Sequence, residues 1–181
     1  MKKLLVLLVA GFMTLAATAQ FSKATLQATG LTCAMCSNAI NKALQQVPFV
    51  ASVKSDIKNS AFNIVFRENE KVDIDKIREA VEDAGFSIGS LNLTGQFSNV
   101  AIGNDRHVEI AGNTFHFLDT KSSSLNGEQT LTIVDRNFVT AKQFRKISSS
   151  TTMPCIQTGK AASCCVKEGV KENTRIYHVT I

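Results

Sequence analysis

The sequence has no tryptophan, a single tyrosine and only two prolines, Pro48 and Pro154, in 181 residues. Scarce proline, with 10 glycines and 44% hydrophobic residues, excludes a collagen-like or proline-rich disordered chain. The aromatic shortage carries no functional signal by itself. Beyond residue 15 there is no long apolar run, so nothing later in the chain is built to span a bilayer, which takes roughly 20 apolar residues. No stripe of Lys and Arg with interleaved aromatics occurs, which argues against nucleic-acid binding. Also missing are a Ser/His/Asp arrangement, a glycine-rich phosphate loop and paired carboxylates at catalytic spacing. The chain therefore reads as non-enzymatic.

What is present begins with the first nineteen residues. Lys2 and Lys3 precede an apolar stretch over 4–15, and Ala17-Thr18-Ala19 supplies small residues at a cleavage site. This pattern predicts a secretory signal peptide over 1–19, with Gln20 as the first mature residue. The apolar stretch is too short for an anchor, so no stable membrane insertion is expected after cleavage. The expected destination is the periplasm or another extracytoplasmic space. Residues 20–95 carry eight basic and eight acidic side chains, and residues 96–181 carry ten and seven. The mild positive charge of the second half suits solubility better than recognition. Five cysteines follow the signal: Cys33, Cys36, Cys155, Cys164 and Cys165. An oxidising compartment permits disulfides, but an odd count leaves at least one thiol over.

The first domain is predicted over 20–95. A short strand over 24–28 ends at Gly30. Cys36, Ile40, Ala43, Leu44 and Val47 then recur at helical spacing, and Pro48 stops the helix. Two strands follow over 50–57 and 61–67, with Phe62, Ile64 and Phe66 on one face. A second helix starts with Asp73 or Asp75 as N-cap and carries Ile74, Ile77, Val81 and Ala84 as its apolar stripe. Gly85 sits where a left-handed helix end is expected, and a last strand runs over 86–93. Strand, helix, strand, strand, helix, strand is the order of a ferredoxin-like sandwich. The predicted fold class is α+β: that sandwich, then a small and mostly antiparallel β domain over 96–181.

Between the first strand and first helix lies Gly30-Leu31-Thr32-Cys33-Ala34-Met35-Cys36. Thiolate sulfur selects soft ions. Two cysteines at this spacing can converge on one ion, and a helix start favours thiolates. With two strong donors, the pair suits Cu(I) or Hg(II). Zn(II) prefers four ligands and would be under-coordinated. The favoured cargo is Cu(I), with Hg(II) and Zn(II) as alternatives. A Cys33–Cys36 disulfide is the competing resting state.

These residues, with Gly85-Phe86 after the second helix, resemble the heavy-metal-associated domain family. Its members include copper chaperones, N-terminal modules of copper-transporting ATPases and periplasmic mercuric-ion-binding proteins. The resemblance covers residues 22–95. It implies Cys33 and Cys36 as metal ligands, with Gly30, Thr32 and Phe86 supporting the loop. Leu31 stands where the family often has Met, an apolar exchange that keeps the loop anchored. The resemblance also implies that Met35 faces solvent and that Phe86 packs beneath the loop. The expected partner is a metal donor or acceptor protein such as a copper transporter.

In the second half, strands are predicted over 106–111, 114–119, 130–135 and 175–181, with Gly112-Asn113 as a hairpin turn. Residues 96–105 read as a linker merging into a strand, and 120–129 as a polar loop. Residues 137–146 read as a short helix or irregular strand. A small barrel is one form the domain can take. Met153, Cys155, Cys164 and Cys165 form a candidate second site. It is either a soft-metal site or, the favoured reading, a disulfide from Cys155 to Cys164 or Cys165 that staples a loop. His107, His116 and His178 are expected as packed or solvent-facing strand residues rather than ligands. Two other functions compete with the exported Cu(I) chaperone or buffer. One is a thiol–disulfide oxidoreductase, since CxxC at a helix start is also redox hardware. The other is a metal-sensing interaction module that docks to a transporter.

Overall fold

The structure, a computed structural model, describes residues 19–31 and 34–181. The predicted signal peptide, apart from Ala19, lies outside the described residues, as do Thr32 and Cys33. No helix among the described residues is long and apolar enough to cross a membrane.

The first half runs β1 (Gln20–Thr29), α1 (Ala34–Gln45), β2 (Val50–Asp56), β3 (Ala61–Phe66), α2 (Ile74–Asp83) and β4 (Ser87–Ala101). Each element follows from local chemistry. In α1, Ser37, Ile40 and Leu44 are buried at helical spacing. In α2, Asp73 is the N-cap and accepts from the Lys76 backbone N at 3.3 Å. At the other end Gly85 N donates to Glu82 O (2.8 Å) and Phe86 N to Val81 O (3.1 Å), the paired bonds that close a helix terminus. Phe62, Ile64 and Phe66 of β3 face inward as the alternation predicts. The helices bury Ile40, Leu44, Ile74, Ile77 and Val81 in one core with Leu26, Phe62, Ile64 and Leu91.

The second half runs β5 (Arg106–Ile110), β6 (Asn113–Phe117), β7 (Ser124–Ile133), α3 (Ala141–Ile147), α4 (Cys155–Thr158), α5 (Ser163–Val166) and β8 (Ile176–Thr180). It forms no separate barrel. Its strands extend the first sheet, giving one eight-stranded sheet in the order β2-β3-β1-β4-β7-β8-β6-β5. β4 runs through position 95 and pairs with β7 from Leu91↔Ile133 to Ala101↔Ser124. The stretch expected as a linker is therefore largely strand. The stretch expected as a polar loop is strand from Ser124 onward, because β4 offers it an edge. Pairing is antiparallel except for β6 with β8. Residues 137–146 resolve into a turn and α3, which Thr140 and Gln143 start with a capping box.

The sheet coils strongly. β1 and β6 are four strand spacings apart, about 19 Å on a flat sheet. Yet the rings of Phe21 and Phe115 have centroids 5.6 Å apart, and Phe97 lies 5.9 Å from Phe21. Two devices permit this approach. A register shift between Phe21 and Lys23 keeps Phe21 on the core face. Gly95 lies opposite, and a Cβ there would come within 2.6 Å of Gln20 O. The coiled end also meets α2. Asn113 Nδ2 donates to Val72 O at 2.9 Å. Asp75 accepts from Arg175 Nε at 2.8 Å and from Tyr177 Oη at 3.1 Å.

The β5–β6 turn is Ala111-Gly112, with φ of 49° and 74°, one residue earlier than predicted. Positive φ at both central residues is the type I′ signature. This register decides what faces what. Phe115, Phe117, Tyr177 and Val179 point into the main core, while His116, Ile176 and His178 point to the opposite face. There Cys155, Ala161, Cys165 and Ile176 form a small separate cluster.

Candidate metal centre

The described residues on either side of Thr32-Cys33 are Gly30-Leu31, after the end of β1, and the start of α1. Gly30 has φ of +79°, a conformation that side chains with a Cβ rarely adopt, and it turns the chain out of β1. Leu31 packs on the main core. Cys36 lies on the first turn of α1 and is half-buried. At a helix start the backbone N–H groups lack intrahelical acceptors and favour negative charge. Met35 beside it is 83% exposed, so it is presented outward. Thr29 pairs with Ser87, which sets Phe86 next to the loop's origin, packed against the core.

The four residues singled out in the second half are gathered in one place. Cys155 and Cys165 have no exposure, and Met153 and Cys164 pack against their cluster. In the structure none of Cys155, Cys164 and Cys165 is joined in a disulfide. The Cys164 and Cys165 sulfurs are 3.5 Å apart, far beyond the roughly 2.05 Å of a disulfide bond. Burial pushes the Cys155 thiol well up, and the neighbouring Cys165 and Cys164 add to it. Burial and the hydrogen bond with Cys165 likewise raise Cys164.

The histidines are packed strand residues, one of the two placements expected, but the structure also gathers them. They are neither isolated nor solvent-facing. His107 of β5 stands opposite His116 of β6, which stands opposite His178 of β8. His107 and His116 stack with centroids 4.3 Å apart, and His116 meets His178 edge-on at 5.1 Å. Each ring has a carboxylate on one nitrogen. His107 Nδ1 lies 2.6 Å from Glu168, His116 Nε2 lies 2.9 Å from Asp105, and His178 Nδ1 lies 2.6 Å from Asp135. The free nitrogens of the first two rings meet one sulfur: Cys155 Sγ is 3.8 Å from His107 Nε2 and 3.7 Å from His116 Nδ1. Burial, then the neighbouring His178 and His107, lower His116 to about 4, so its imidazole is neutral at ordinary pH. Glu168 is held below the usual carboxylate range. Its burial acts the other way but is outweighed by the hydrogen bonds from His107.

A family model described as the heavy-metal-associated domain matches residues 25–87. The copper chaperone CopZ of Staphylococcus haemolyticus is 30% identical over 59 residues, spanning 33% of this chain and 85% of that protein. The probable copper-transporting ATPase HMA5 of Arabidopsis thaliana is 38% identical over 65 residues, spanning 36% of this chain. That match covers only 6% of the ATPase's own length, and two further copper-transporting ATPases are each spanned over 8%. Among solved structures, a copper binding domain from the P-type ATPase HMA7 shows 36% identity over 37% of this chain and 92% of its own, with a TM-score of 0.34.

Proposed function

Because the chain belongs to the heavy-metal-associated domain family, we propose that it is an exported, non-enzymatic copper-binding protein. It holds Cu(I) as cargo between Cys33 and Cys36 and serves as a chaperone or buffer. Its natural partner is a metal donor or acceptor protein such as a copper transporter. Copper is the ion named for the chaperone and the ATPases it resembles, and a two-thiolate site matches the softness of Cu(I).

The observation that carries this reading is the placement of Cys36. It sits on the first turn of α1 beside the outward-facing Met35 and directly after the Gly30 turn. A ligand at the rim of the fold is open to a partner's thiol, which can enter the coordination sphere and remove the ion. The lysine-led apolar segment over residues 1–19 supports export.

Titration with Cu(I) under reductant, against a competing chelator, tests the proposal. One tightly bound ion per chain is expected, and Cys33→Ala with Cys36→Ala removes it. Wild-type affinity at or weaker than about a micromolar Kd, only about 8 kcal/mol of binding free energy, contradicts it.

A further inference from the structure

We propose that His107 Nε2, His116 Nδ1 and Cys155 Sγ form a second metal centre, built for a zinc- or copper-type transition ion and independent of the Cys33/Cys36 pair. The three donor atoms lie within 4.8 Å of one another. An ion about 2.3 Å from sulfur and about 2.0–2.1 Å from nitrogen, in trigonal or tetrahedral array, separates the two by about 3.5–3.8 Å. The sulfur–nitrogen distances here are 3.7 and 3.8 Å. The sulfur already stands at coordination spacing from both nitrogens.

The carboxylates make the stronger case. An ionised carboxylate can only accept a hydrogen bond, so the ring nitrogen facing it carries the proton. Glu168 therefore fixes the proton of His107 on Nδ1, and Asp105 fixes that of His116 on Nε2. Both remaining nitrogens are then bare acceptors aimed at Cys155. Carboxylate–imidazole pairs of this kind are what orients histidine in metal sites.

Counting donors shows what is missing. The Cys155 thiol has one hydrogen to offer and faces two imidazole lone pairs. At least one is left without a donor from this cysteine, in a place where Cys155 and His116 have no exposure. Leaving a buried polar atom unpaired is destabilising. A third bare nitrogen is near: His178 Nε2 is buried without a hydrogen-bond partner, on the ring that meets His116. One cation bound to a Cys155 thiolate removes the deficit at both facing nitrogens. Two imidazoles and a thiolate suit zinc or copper and exclude magnesium and calcium, which take oxygen ligands. A cleft of about 300 Å³ lined by His107, Glu168, Gly169 and Val170 borders the site on the His107 side. The closed setting, with Cys155 and His116 fully buried, suits this centre to retaining an ion rather than trading one.

The test uses the full mature chain carrying Cys33→Ser and Cys36→Ser, so that its failure says nothing about the loop. Co(II) is the probe. One equivalent should produce a sulfur-to-cobalt charge-transfer band and the intense visible bands of a low-coordinate site. Added Zn(II) should erase them if zinc is preferred. Cu(II) should instead give a strong visible thiolate-to-copper band that Zn(II) does not displace if copper is. Cys155→Ser should abolish the sulfur band, and Glu168→Gln should weaken Co(II) binding about 10- to 100-fold. Circular dichroism checks that each variant is folded. Absence of the sulfur band in the reduced, folded background overturns the proposal. So does a band that survives Cys155→Ser. Should that variant fail to fold, unchanged Co(II) affinity in Glu168→Gln overturns it equally.

Discussion

Phe21 in β1 and Phe115 in β6 touch edge to face, with ring centroids 5.6 Å apart, although three strands separate them in sheet order. The contact joins the metal-loop half to the histidine-bearing half through one core. Both rings are essentially inaccessible.

Phe21→Ala should therefore destabilise the whole chain, by about 3–5 kcal/mol. The lone tyrosine, Tyr177, lies in β8 of the second half and there is no tryptophan. Denaturant unfolding followed by Tyr177 fluorescence reports β8 and its contact with Asp75, and far-UV circular dichroism reports the whole chain. The two curves should coincide and shift together in the variant. A Tyr177 transition unmoved by Phe21→Ala would show the halves to be independent.

Gly95 guards the same junction. An added Cβ would lie 2.6 Å from Gln20 O and 3.2 Å from the Phe21 Cα, both rigid backbone atoms. Gly95→Ala is expected to cost about 1–3 kcal/mol, read as a lower midpoint in urea. A neutral result would mean that β1 and β4 pair more loosely there.

The Asp75 carboxylate bridges α2 to Arg175 and Tyr177. Its burial favours the neutral acid, but the hydrogen bond and charge of Arg175 outweigh this and hold its pKa below the ordinary value. A carboxylate with a depressed folded pKa adds stability that is complete above its unfolded pKa of about 3.9. That stability is lost as pH falls through the lower folded value. Asp75→Asn should destabilise by about 1–3 kcal/mol at neutral pH and flatten the loss of stability below about pH 4. Thermal melts from pH 7 to 2 would show both effects.

Met35, at 83% exposure, is available to a partner. Met35→Ala should leave Cu(I) affinity within about 1 kcal/mol, or roughly fivefold, while slowing transfer to an acceptor domain. A loss of affinity beyond tenfold would make its thioether a ligand.

Much of the first half was legible because short-range rules decide it. Asp73, Pro48 and Gly85 punctuate the helices, and Phe62, Ile64 and Phe66 alternate. The motif around Cys33 and Cys36 named the family. The second half was less legible because its structure depends on pairing. The first part of β7, from Ser124 to Gln129, looks like a polar loop until β4 is known to extend to Ala101 and offer it an edge. The histidines were hidden by one residue of register. A turn at Gly112-Asn113 sets His116 opposite Glu109. The turn at Ala111-Gly112 sets it opposite His107, and so exposes the pair. That His178 joins them depends on a parallel pairing between strands far apart in sequence, which no local pattern reveals.

Copper K-edge X-ray absorption on the reduced chain, loaded with one equivalent of Cu(I), tests the central claim most directly. Cargo held by Cys33 and Cys36 predicts a first shell of sulfur neighbours only. Nitrogen in that shell would place the ion among His107, His116 and Cys155 instead and contradict the account.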